Sequence, residues 1–266
     1  MTRARRVAAA VAAPALLLAS CAGDTEQTAD ANGVHTSPGA QTTGASPTAM
    51  TAPLETAPFD VAAARSEPLP DEVRCQYERA GNAARPVDFP PDEPVAATGT
   101  LPARIELREG TIDVLLDRAK SPCAVNSFVS LAHQGYFTST ICHRLTTRGI
   151  YTLHCGDPTG TGIGGPGYVF NEEFPADQLA AEGGSRDVST TYPRGTVAMR
   201  SQDDGKNGSQ FFIVYDDSPL TPVYTVIGTV TDGLDIVSDI ASAGATPEHQ
   251  GSPRQTVQIM NVVVDD

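Results

Sequence analysis

The sequence predicts a mainly β domain of about eight strands and two helices behind a long unstructured leader. From Ala103 onward, short runs alternate apolar and polar residues, the period of a half-buried strand. Only two stretches, 121–135 and 233–242, repeat apolar residues at helical spacing. Residues 22–70 are dominated by Thr, Ala, Pro, Ser and Gly with almost no large apolar side chains, so burial there cannot offset the entropy of ordering the chain.

Ala103 to Leu107 and Thr111 to Asp117 alternate on either side of Gly110 and predict a β-hairpin. Ser121 is placed to cap the helix that follows. Pro122 suits its first position, Val125, Phe128, Val129 and Ala132 share a face, and Gly135 ends it. Further strands are predicted at 141–146, 151–155, 195–200, 210–215, 223–230 and 256–264. In the second helix, over 233–242, Leu234, Val237, Ile240 and Ala241 lie together. Closure of these strands into a barrel would remove exposed edges.

The 266 residues are 40% apolar, with 24 Gly, 21 Pro and no Trp, which suits one domain with tails. Only 19% are charged, excluding a coiled coil or a helical repeat array. Lys and Arg number 18 against 32 Asp and Glu, a formal charge of −14. Loss of Arg3, Arg5 and Arg6 with a cleaved leader makes it −17. No nucleic-acid partner is expected of so acidic a surface, and membrane association must come from an anchor.

That anchor is expected at the start. Arg3 to Arg6 form a basic region, residues 7–18 an apolar run too short to span a bilayer, and Ala19 and Ser20 precede Cys21. Leu18-Ala19-Ser20-Cys21 resembles a bacterial lipobox. The organisation read from the sequence is a lipoprotein signal peptide over 1–20, a lipidated disordered tether over 21–70, an extension over 71–97 stapled by a disulfide, and the main domain over 98–266. Lipid on Cys21 places the domain at the extracytoplasmic face of a bacterial membrane. The Ala-, Gly-, Thr- and Pro-rich composition fits a high-GC organism.

Four cysteines remain, Cys75, Cys123, Cys142 and Cys155, an even number in a compartment where disulfides persist, so two bridges are expected. Zinc is the weaker reading, because no C-x-x-C pair exists and the five histidines do not cluster with the cysteines. No metal site is expected. Gly160-Thr161-Gly162-Ile163-Gly164-Gly165 satisfies G-x-G-x-x-G, but Pro166-Gly167 and Tyr168-Val169-Phe170 follow where a dinucleotide fingerprint needs a helix. The segment reads as a loop.

Cys142-His143-Arg144 followed by Gly156-Asp157, and Asn207-Gly208-Ser209-Gln210-Phe211-Phe212-Ile213 followed by Thr225-Val226-Ile227-Gly228, resemble a cyclophilin-type peptidyl-prolyl isomerase. Pro122 to Leu131 and Gly195 to Met199 extend the resemblance over 103–264, and an actinobacterial lipoprotein form is expected. It implies a closed eight-stranded antiparallel β-barrel capped by two α-helices, with a peptide groove outside. Arg144, Phe212 and Gln210 match the catalytic set: Arg144 polarises the imide nitrogen, Phe212 floors the proline slot and Gln210 bonds the substrate backbone. Tyr151, Thr152, His154, Arg200, Ser201, Leu220 and Tyr224 are the expected substrate-binding walls. No organic cofactor is implied.

Those residue types suit the reaction. Amide resonance gives an X–Pro bond a rotation barrier of ~18–20 kcal/mol. A donor on the imide nitrogen withdraws its lone pair from resonance, and a guanidinium donates at any physiological pH.

The chain departs from the family pattern in the groove. His154 stands where Gln is usual, Thr152 where Met is common, Tyr151 for Phe and Tyr224 for His. Two extra residues lengthen the path from Arg144 to Gly156, and Ser218-Pro219 replaces a Trp, so weak cyclosporin binding is expected. Alternation places His143 inward as a core histidine. The same rule makes Cys142–Cys155 the least expected disulfide and pairs Cys75 with Cys142 or Cys155. The predicted function is isomerisation of X–Pro bonds in proline-containing segments of exported or envelope proteins, by a monomer. The alternative is a cyclophilin-like proline-peptide binding module or chaperone with little isomerase activity.

Overall fold

The computed structural model describes residues 59–202 and 205–265. The predicted signal peptide, the lipidation site at Cys21 and the tether up to residue 58 lie outside the described residues. The extension contributes β1 (Glu72–Arg74), β2 (Glu78–Arg79) and β3 (Pro94–Ala96). The predicted hairpin follows as β4 (Thr100–Leu107) and β5 (Thr111–Asp117), then helix α1 (Pro122–His133). Next come β6 (Thr140–Ile141), β7 (Arg144–Arg148), β8 (Ile150–Cys155), β9 (Tyr168–Asn171) and the short helix α2 (Ala176–Ala181). The strands β10 (Thr190–Tyr192), β11 (Thr196–Gln202), β12 (Lys206–Val214), β13 (Ser218–Leu220) and β14 (Val226–Asp232) lead to α3 (Leu234–Ser242). The chain ends with β15 (Ala245–Thr246), β16 (Gln250–Pro253) and β17 (Gln258–Val264).

Eight of these strands and two of the three helices are the predicted ones. The unpredicted elements, including α2, are six residues or shorter, too brief for periodicity to register. The main sheet is antiparallel in the order β15-β16-β7-β8-β12-β11-β14-β5-β4-β17-β6, with β9 joining β12 to β2. Its ladder runs open from β15 to β6 rather than as the closed ring expected.

At the start of α1, Ser121 makes no side-chain cap. A distant carboxylate takes its place: Glu173 accepts the backbone N–H groups of Cys123 at 3.1 Å and Ala124 at 2.7 Å, satisfying donors a helix start leaves orphaned. Gly135 leaves the helix at φ +67°, a conformation costly for any residue with a Cβ.

The sheet is apolar on both faces near its middle. Val197, Met199, Phe211 and Ile213 enter the main core with Phe128, Leu145, Leu153 and Val237. Their neighbours Ala198, Phe212 and Val214 point the other way, into a second cluster with Val61, Phe174, Tyr192 and Val226. Phe59, Leu220 and Tyr224 pack against that cluster.

Val61 and Phe59 correct the tether boundary, because residues from 59 onward dock on the domain. The Lys120 ammonium donates to the Val61 and Ala62 carbonyls at 3.0 Å. Arg65 donates to the Lys120 carbonyl at 2.7 Å and pairs with Asp177 at 2.7 Å. Sequence alone hid this, since two apolar residues among small ones show no periodicity.

Both disulfides depart from the expected pairing. Cys75 bonds Cys123, tying the extension to α1, where the Tyr77 hydroxyl also donates to the Cys123 carbonyl at 2.9 Å. Cys142 bonds Cys155, the pair expected least. Strict alternation fails between β6 and β7: Arg144 faces His154 in register, yet the His143 N–H also donates to the His154 carbonyl at 2.9 Å. Two residues therefore stand against one in the manner of a bulge, which turns Cys142 into the core beside Cys155.

Candidate active site

The site is built on three neighbouring strands around His154. On β7 and β8, Arg144 is its register partner. On β12 the partner is Phe212. A cation and an aromatic ring are thus fixed on either side of one imidazole by backbone pairing alone. Side chains alternate along β8, so Ile150, Thr152 and His154 reach one face and Tyr151, Leu153 and Cys155 the other.

A cavity of about 230 Å³ lies over that face, lined by Arg144, Thr146, Ile150, Thr152, His154, Arg200, Ser201, Phe212, Leu220 and Tyr224. Phe212 is buried at its floor. The His154 ring stacks on it with centroids 5.0 Å apart, and Tyr224 meets it edge-on at 5.3 Å. Leu220 is held by pairing of β13 with β10. The Tyr192 hydroxyl donates to the Tyr224 carbonyl at 3.0 Å, fixing the facing wall.

Hydroxyls brace the polar side. Thr146 Oγ1 and Thr152 Oγ1 are 2.7 Å apart, and Thr152 Oγ1 lies 3.0 Å from His154 Nε2. His154 Nδ1 is buried without a hydrogen-bond partner. Burial, then the electrostatic influence of Arg144, His143 and Arg200, pushes the imidazole pKa down to about 3. It is therefore neutral near pH 7, the direction expected for a ring beside a guanidinium. Ser201 at the rim donates its hydroxyl to Glu172, which also pairs with Arg186.

Three predicted residues stand elsewhere. Tyr151 is not a groove wall, since alternation against Thr152 and His154 turns it to Tyr215, with ring centroids 5.8 Å apart. Gln210 is buried under the glycine loop, and its Nε2 donates to the Gly162 and Gly164 carbonyls at 3.1 and 2.9 Å. It shapes the groove through that loop. His143 is not a core residue, because the bulge turns it to the cleft.

The loop is also organised from below. The Asp157 carboxylate accepts the backbone N–H groups of Thr159, Thr161, Gly162 and Gly164 at 2.7–3.1 Å. A Cβ on Gly164 would lie 2.0 Å from Asp157 Oδ1, so the glycine serves close packing around a carboxylate. Beyond Arg144 a second recess of about 450 Å³ opens, lined by His143, Thr161, Gly162, Arg200 and the wall Thr246, Pro247, Gln250, Gly251 and Ser252. No motif pointed to that wall, which packs here through pairing of β16 with β7.

A family model described as cyclophilin type peptidyl-prolyl cis-trans isomerase/CLD matches residues 103–264, the span holding this whole site. The chain belongs to that family. Among curated cyclophilins it is 45% identical over 201 residues to the probable peptidyl-prolyl cis-trans isomerase B of Mycobacterium tuberculosis, covering 73% of this chain and 64% of the relative. With the Mycobacterium leprae protein of the same name it shares 45% over 202 residues, 73% of this chain and 67% of that one. The chain thus spans slightly under two thirds of the length of the Mycobacterium tuberculosis relative. A crystallised cyclophilin of Cryptosporidium parvum superimposes with a TM-score of 0.51 at 28% identity, over 63% of this chain and 99% of its own. A second structure of that protein, determined in the presence of the dipeptide Ala-Pro, gives 0.50 at 28% over 62% and 99%.

Proposed function

We propose that the chain is a peptidyl-prolyl cis-trans isomerase acting at the cavity between Arg144 and Phe212. One observation carries the reading: a charged donor and a buried aromatic floor are register partners of the same residue, His154, and line one cavity. A proline ring seated on Phe212, between Leu220 and Tyr224, leaves its imide nitrogen facing the guanidinium. Donation from Arg144 to the nitrogen lone pair weakens amide resonance, so the site binds the twisted bond more tightly than either planar isomer and lowers the rotation barrier. No covalent bond is made or broken. His154 stays neutral between the two, presenting an imidazole edge without a competing charge.

The strand order supports closure of the sheet into an eight-stranded barrel. Only two residues separate β6 from β7, so they read as halves of one bent strand that meets β17 at one half and β8 at the other. The two disulfides favour an oxidising compartment, and with the lipobox they support an extracytoplasmic lipoprotein anchored through Cys21. Proline-containing segments of exported proteins are then the clients. Equilibrium NMR exchange on X–Pro peptides tests the activity: exchange broadening that grows with added protein supports it, whereas peptide binding without accelerated exchange assigns the chain to proline-peptide binding alone.

A further inference from the structure

The recess next to the proline cavity is basic in a protein that is acidic as a whole. Arg144, Arg200 and His154 line both spaces, and His143 lines the outer one. Among the described residues, neither lining contains Asp or Glu. Among the described residues, neither Arg144 nor Arg200 forms an ion pair. Two carboxylates on neighbouring segments are already engaged: Asp157 by the glycine-loop amides and Glu172 by Ser201 and Arg186. Two guanidiniums therefore face one partly enclosed space with no countercharge among the described residues.

We infer that this recess is a carboxylate subsite, so that the isomerase selects peptides carrying Glu or Asp beside the proline. The inference rests on the isomerase reading for its location and on Arg200 for its charge. Arg144 is occupied by the imide nitrogen of a seated proline. Arg200 keeps a planar fork free, the geometry that grips a carboxylate with two parallel N–H donors. It stands on β11 where the pairing with β12 is irregular between Met199 and Ser201, and it lines both spaces. Arg200 is half-buried, and a half-buried guanidinium gains more from an incoming anion than one in open solvent. The neutral imidazoles of His143 and His154 add polar edges without further charge; burial lowers the His143 pKa as well. The wall of Thr246, Gln250 and Ser252 supplies neutral polar groups around the same space.

The test uses the full chain and amidated peptides with Glu, Gln or Lys immediately before or after proline, so the only carboxylate is the side chain. Titration gives Kd and NMR exchange gives isomerisation, at low and at 0.5 M salt. On one side of the proline, Glu is expected to bind at least about 5-fold tighter than Gln, and Lys weaker than either, with the ratio shrinking in salt. Arg200→Ala should bring the Glu to Gln ratio to about 1, and Arg200→Lys should retain part of it. Because the ratio is internal to each variant, loss of folded protein does not mimic the result. Equal binding of Glu and Gln on both sides, or a preference that survives Arg200→Ala, would overturn the subsite. The exchange readout fails separately if the isomerase reading is wrong.

Discussion

His154 stacks on Phe212 with the two ring planes 28° apart, so the imidazole forms part of the floor of the cavity between Arg144 and Phe212 as well as its polar edge. Its pKa of about 3 sets the pH response. The ring is neutral across pH 5 to 8, and kcat/KM should be flat there, for the wild type and for His154→Gln. Stability should behave differently: the unfolded histidine titrates near ~6.5, so unfolding takes up a proton as pH drops below that value, and stability is lost from pH 6.5 down toward 3. His154→Gln should reduce that loss. Denaturant unfolding between pH 4 and 7 checks it, and an acid limb in activity with a midpoint between 5 and 7, absent from the Gln variant, would show an imidazole that titrates freely.

Glu173 gives the opposite slope. Burial raises its carboxyl to about 7, against the pull of the Ala124 and Cys123 amides. A raised acid favours the folded state at low pH, with the contribution lost as pH climbs from the unfolded value near ~4.3 through 7. Wild type minus Glu173→Gln in unfolding free energy should therefore fall with rising pH by at least about 1 kcal/mol between pH 5 and 8. A difference that does not change with pH would show that the carboxyl ionises normally in the fold.

The disulfides make a chemical prediction. A non-reducing peptide map should recover Cys75–Cys123 and Cys142–Cys155 and no other pair. By loop closure, losing the first, with its sequence separation of 48, costs about 4 kcal/mol, and losing the second, with 13, about 3 kcal/mol. Recovery of Cys75 with Cys142 or Cys155 would refute the arrangement.

The docked segment from Phe59 predicts a sharp boundary. A chain starting at residue 59 should match the full chain in thermal midpoint, whereas one starting at 67 should melt lower and bind proline peptides more weakly, because Val61 shares a cluster with Phe212. Arg65→Ala alone should cost about 2 kcal/mol through its lost charged hydrogen bonds. Identical melting of the two truncated chains would mean the segment contributes nothing.

The groove residues are legible where the family pattern falls on regular strands: Arg144, Thr152 and His154 keep one face because β7 and β8 form a tight hairpin around Gly149. The errors cluster where alternation breaks. The bulge at His143 sent Cys142 inward and His143 outward, reversing both expectations and the disulfide pairing. Tyr151 was carried over from family position against its neighbours' parity. Gln210 points to a loop whose path depends on Asp157, which no local pattern encodes. Phe59 and Val61 gain meaning only from a surface, made by Phe174 and Tyr192, more than 100 residues away.

If Arg144 and Phe212 together turn an X–Pro bond, the exchange rate of one peptide measured with wild type, Arg144→Ala and Phe212→Ala must show it. With folding verified by the near-ultraviolet spectrum, Arg144→Ala should lower kcat/KM at least ~10-fold, equivalent to ~1.4 kcal/mol of transition-state stabilisation, while leaving peptide binding within a few fold. Phe212→Ala should lower kcat/KM and weaken binding together, because it opens the slot floor. Wild-type turnover matched by a folded Arg144→Ala protein would contradict the account.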